Sequence, residues 1–94
     1  MRRFIIERDL TGAGALSETQ LKEVRQTSNA ALAATGPGII WVESLVTQDR
    51  IFCQYMATDE DKVREHARRA GIPCTAITEV KLVVDPMTVT VQEQ

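Results

Sequence analysis

The chain carries one histidine, His66, inside the stretch V-R-E-H-A-R-R-A-G-I-P at Val63–Pro73. An imidazole near neutral pH can ligate a metal or move a proton. Four other side chains with donor chemistry lie in strand-like apolar runs: Glu7, Glu43, Cys53 and Tyr55. A carboxylate in such a run must face solvent, pair with a cation or serve a site. Imidazole with carboxylate or water suits a divalent metal such as nickel or zinc. The same pair suits general acid–base work. No H-x-H, H-x-x-x-H or E-x-x-H spacing occurs, so spacing alone gives a metal little support.

Geometry decides which of these groups can meet. Strand side chains alternate, so Cys53 and Tyr55 share a face, and Trp41, Glu43 and Leu45 are expected to share another. A four-residue loop, Thr47–Arg50, pairs Val46 with Ile51 and sets Glu43 opposite Gln54, away from Cys53 and Tyr55. A shift of one residue would reverse that. On a helical wheel Val63, Ala67 and Ala70 define an apolar stripe, and His66 falls at its border. A border histidine commonly just bonds a carbonyl or a carboxylate.

Other chemistries find no footing. There is no G-x-x-x-x-G-K phosphate loop, and Gly12-Ala13-Gly14 reads as a turn. Ser17 is better explained as a helix cap than as a nucleophile. Arg64, Arg68 and Arg69 read as a solvated, ion-paired face. Cys53 and Cys74 belong to no C-x-x-C pair and are expected as free thiols.

The elements that must position these residues follow in order. Arg3–Asp9 is a strand, stopped by Thr11–Gly14. Ser17 and Gln20 make a Ser-x-x-Gln capping box, and a helix runs on to Gly36-Pro37-Gly38. Ile39–Val46 and Ile51–Ala57 form an antiparallel hairpin. A second helix starts near Thr58 or Asp59, is acidic in its first turn and basic in its last, and stops at Gly71 and Pro73. Ala76–Asp85 is one further strand, and Met87–Gln94 is a tail or an extra edge strand.

The order β-α-β-β-α-β predicts an α+β, ferredoxin-like sandwich: a four-stranded antiparallel sheet with two helices on one face. It occupies residues 1–94 as a single domain, with a core at about 3–86. The strands are apolar on both faces, so the bare face calls for cover, and a homodimer through the sheet is expected.

A net charge of −2 gives no electrostatic reason to expect nucleic acid or an acidic membrane. No signal-peptide core or membrane-length apolar run is present. A cytoplasmic protein is the expectation.

Several blocks form one pattern: R-F-I-I-E-R-D, then S-N-A-A-L-A-x-x-G-P-G-I-x-W-V-E-S at Ser28–Ser44, then E-H-A-R-R-A-G-I-P at Glu65–Pro73, then I-T-E-V with V-D-P closing the strand. Over about residues 3–86 this resembles a bacterial family of small proteins of undefined function that includes a nickel-binding member. The resemblance implies a ferredoxin-like dimer that binds nickel or another divalent transition metal. The matching segments hold Glu7, Arg8, Asp9, Glu43, Tyr55 and His66, which the resemblance makes candidates. Cys74 and the tail depart from the pattern.

Two functions remain open. One is a non-catalytic metal-binding protein with His66, Glu43, Tyr55, Cys53 and Glu7 as candidate ligands. The other is a small-molecule binder or enzyme in the helix–sheet crevice, with His66 and Glu43 as an acid–base pair beside Trp41 and Tyr55.

Overall fold

A computed structural model describes residues 1–92 of the chain. Strand β1 spans Arg2–Asp9, helix α1 Glu18–Thr35, β2 Ile39–Val46, β3 Arg50–Ala57, helix α2 Glu60–Ala70 and β4 Ala76–Val80. The four strands form an antiparallel sheet in the order β2-β3-β1-β4. With two helices, this is the expected α+β architecture. Two short strands, β5 (Leu82–Val84) and β6 (Val89–Val91), pair separately as a hairpin.

Local chemistry sets the helix ends. Ser17 Oγ accepts from the Gln20 amide, and the Gln20 side chain accepts from the Ser17 amide. Together these satisfy two amide donors the first turn would leave open. Asp59 caps α2 through the Lys62 amide. Gly71 ends it at φ 66°, a left-handed conformation that favours glycine. Two i,i+4 pairs, Arg64–Glu60 and Arg69–Glu65, lie along the solvent side of α2. A short 3-10 turn at Ala13–Ala15 rests on the β2–β3 loop, its Gly14 amide bonded to the Gln48 carbonyl. A Cβ on Gly14 would stand 3.0 Å from Gln48 Cα and from the Thr47 carbonyl oxygen, so a larger residue would push the β2–β3 loop back by a few tenths of an ångström.

Alternation along the central strands builds the core. Phe4, Ile6 and Arg8 of β1 and Ile51, Cys53, Tyr55 and Ala57 of β3 are all buried. From α2, Val63, His66, Ala67 and Ala70 close onto them.

Three expectations need correction. Trp41 and Glu43 do not share a face. The register shifts between them, so Trp41 pairs with Tyr55 while Glu43 pairs with Gln54. The extra residue of this bulge, Val42, turns the indole inward and leaves Glu43 outward. Ala76–Asp85 is not one strand: the main-sheet strand ends at Val80, and Leu82–Val84 pairs instead with Val89–Val91. Asp85 makes that turn tight, its carboxylate accepting from the Met87 and Thr88 amides. The tail therefore adds a strand to this hairpin. Residues 93–94 of the expected tail lie outside the described residues.

His66 is the third correction. It is not at the border of the helix but fully buried, at 0% exposure. Its ring lies against Tyr55 of β3, with the ring centres 5.0 Å apart.

Candidate functional site

Three elements bring together one cluster of buried side chains that carry polar atoms. β1 contributes Arg8, β3 contributes Cys53 and Tyr55, and α2 contributes His66. His66 Nε2 lies 3.0 Å from Tyr55 Oη, with the rings 5.0 Å apart and tilted by 57°. Arg8 donates through Nη2 to Tyr55 Oη at 3.4 Å. Through Nη1 it donates to the carbonyls of Pro73 at 2.8 Å and Ile72 at 3.4 Å, which ties the loop after α2 to the sheet. Beside them Trp41 Nε1 donates to Ser44 Oγ at 3.0 Å, and Ser44 Oγ donates to Cys53 Sγ at 2.9 Å.

Burial sets the charge states. Loss of water pulls the His66 imidazole down to about 4, and the positive Arg8 adds to the effect. The ring is therefore neutral near pH 7. Burial, with Cys53 adding to it, pushes the Tyr55 phenol up to about 12, so it keeps its proton. His66 Nδ1 is buried without a hydrogen-bond partner among the described residues. An orphaned buried nitrogen costs about 1–3 kcal/mol, so such atoms call for an explanation.

Next to this cluster is a cavity of about 100 Å³ between α1 and the sheet. Leu21, Val24, Val46, Ile51 and Ile72 make its apolar wall, and Arg8, Arg25, Ser28, Ser44 and Cys53 supply polar groups. Trp41 and Tyr55 also line it.

The candidate residues divide between the two faces of the sheet. His66, Tyr55 and Cys53 gather in the core. Glu43 points from the other face opposite Gln54. Glu7 is on that other face as well, paired with Arg50 at 2.8 Å. The acid–base pair of His66 with Glu43 is thus not formed, because the sheet lies between them.

Nickel finds a partial fit here. With its proton on Nε2, donated to Tyr55 Oη, the neutral imidazole would have the Nδ1 lone pair open to a metal. Cys53 offers a soft sulfur and Tyr55 an oxygen. Against this, Arg8 sets a cation beside them. Among the described residues no group of three or more His, Cys, Asp and Glu side chains comes together as a metal cluster.

Reading residue types alone undervalued Arg8. The alternation Phe4-Ile6-Arg8 already places it on the inward face of β1, and that period is the signal for it. Ser44 carried no such signal, since the bulge turns it inward, and Arg25 lines the cavity from α1 without one.

Comparison with known proteins agrees with the fold. A family model described as nickel responsive protein SCO4226-like matches residues 4–80. The crystal structure of SCO4226 from Streptomyces coelicolor A3(2) superposes with a TM-score of 0.72 at 19% identity, covering 87% of this chain and 99% of that one. No curated protein matches the chain.

Proposed function

The chain belongs to the family of nickel responsive proteins like SCO4226, and from that premise we propose that it is a small non-catalytic protein that binds nickel or a similar divalent metal. One observation carries the reading: His66 Nδ1, buried and unpartnered on a ring that stays neutral. A metal ligand must present a lone pair, and a ring this hard to protonate does so without competition from protons. His66 and Cys53 would hold the ion as nitrogen and sulfur donors, and Tyr55 would hold the ring in place. Bound nickel would supply a divalent charge as cargo or signal. Arg8 beside the site disfavours the ion unless Cys53 binds as thiolate and offsets it.

One chain brings few ligands, so the reading carries a second requirement, that the protein works as a homodimer. Its support is the apolar surface a lone chain leaves open. Ile40 is 53% and Leu45 52% exposed on the edge strand β2. In the hairpin, Leu82, Val84, Val89 and Val91 lie on one face by their pairing, at 51%, 69%, 64% and 72% exposure. A two-stranded hairpin is marginal in water without cover. We assign the protein to the cytoplasm, in keeping with Cys53 and Cys74 as free thiols. No helix among the described residues is long and apolar enough to cross a membrane.

Calorimetric titration of nickel into the protein, with His66→Gln as comparison, tests the proposal. Saturable binding that weakens in His66→Gln supports it. Equal affinity in both proteins would remove His66 from the site.

A further inference from the structure

Arg8 has a feature that metal binding leaves unexplained. Its side chain is 1% exposed, and among the described residues its charge has no carboxylate partner. The hydrogen bonds it makes end on the Ile72 and Pro73 carbonyls and the Tyr55 hydroxyl, with the Cys53 thiol beside it. Dipoles satisfy donors but leave the charge itself uncompensated, and a buried charge is costly unless it is paired. Half-buried Arg3 likewise bonds neutral groups, the side-chain oxygens of Gln54 and Gln92, whereas two other arginines of the sheet strands are ion-paired. Arg2 has Glu79 at 2.7 Å, and Arg50 has Glu7 and Asp9. Arg8 instead lines the cavity under α1, where Arg25 is a second guanidinium at the wall.

We propose that this cavity binds a small monocarboxylate, with the carboxylate on Arg8 and a short hydrocarbon tail against Leu21, Val24, Val46 and Ile72. Charge complementarity picks the anion, since the two charged side chains of the lining are both arginines. The wall picks the tail. Most of it is aliphatic, and inorganic phosphate would leave its outer oxygens facing those side chains unpaired. Size restricts the ligand to a few carbons, because about 100 Å³ does not admit a long chain. The Ser28 hydroxyl at the wall provides a further donor for the anion. Nη1 and Nη2 each already donate one bond, to the Pro73 carbonyl and the Tyr55 hydroxyl, so the carboxylate would be met by the N–H groups the guanidinium has left.

The experiment is a protein-detected NMR titration with sodium butyrate, run beside butyramide and inorganic phosphate. Butyramide keeps the tail and loses the charge. Phosphate keeps the charge and loses the tail. Butyrate is expected to shift the amides of Ser44, Cys53 and Tyr55 with a millimolar Kd, and each control should bind about tenfold more weakly or worse, the ratio one charge-assisted bond is worth. Two variants locate the site. Arg8→Met removes the charge at similar volume, and Val24→Trp fills the cavity while leaving Arg8. Each is expected to lose butyrate binding by about tenfold or more. If Arg8→Met does not fold, Val24→Trp and the butyramide comparison still decide. Butyramide binding as well as butyrate, undiminished binding in Val24→Trp, or no shift at saturating butyrate overturns the proposal. Nickel is absent throughout, so the result is independent of the metal-binding reading.

Discussion

Acid should weaken this fold through His66. The imidazole ordinarily titrates near 6.5, but inside the protein burial, then Arg8, holds it down to about 4. In the unfolded chain it returns to its ordinary value. Between these two values the unfolded chain takes up a proton that the folded chain refuses. Stability is therefore full above about 6.5, falls as the pH drops towards 4, and levels off below that. By about pH 4.5 the loss amounts to about 2–3 kcal/mol, a substantial share of the roughly 5–15 kcal/mol that a domain has. The groups facing the ring do not blur the reading. Arg8 stays charged across this range, and Tyr55, pushed up to about 12, stays neutral. Glu79 is held below the usual carboxylate range by its bond with Arg2, and Asp85 by the Met87 and Thr88 amides. Both also lose stability in acid, but they do so equally in a His66→Gln variant. Urea unfolding followed by Trp41 fluorescence, at neutral pH and near pH 4.5, isolates the difference. The wild type is expected to lose about 2–3 kcal/mol more than His66→Gln. Equal losses, or an imidazole titrating near 6.5 by NMR in the folded protein, would refute the reasoning.

Three further outcomes follow from local structure. Gly71→Ala meets no steric clash but forces a side chain into the left-handed region, so thermal or urea unfolding should show a loss of about 1 kcal/mol. Asp85→Ala removes the acceptor of the Met87 and Thr88 amides, and hydrogen exchange at those two amides should quicken while amides in β1 and β3 keep their protection. Leu82→Glu with Val91→Glu places charge on the exposed face of the hairpin. Sedimentation should show the wild type as a dimer and this variant as a monomer, whereas a monomeric wild type would remove the dimer from the account.

Much of the architecture was legible because it is coded locally. Ser17 with Gln20 announces the start of α1, and the charge order of α2 with Gly71 announces both its ends. The four-residue loop also sets the pairing of Val46 with Ile51, and Glu43 opposite Gln54 follows. What stayed hidden depends on tertiary context. A bulge at Val42 leaves no mark in an alternating apolar run, so the inward turn of Trp41 could not be read. The break at Lys81 sits inside a continuous run of strand formers. His66 needed knowledge of what surrounds it. A wheel gives its angle, but the Tyr55 hydroxyl that meets its ring inside the core comes from another element. Arg8 lay in plain view on the inward face of β1, yet that it lacks a carboxylate is a fact of packing.

The central claim is that nickel binds through the His66 imidazole with sulfur beside it. X-ray absorption at the nickel edge of the metal-loaded protein tests this most directly. The account predicts the multiple-scattering pattern of one imidazole and a sulfur in the first shell, both lost from the spectrum of a His66→Gln, Cys53→Ser double variant. A shell of oxygens alone, with neither imidazole nor sulfur, would contradict it.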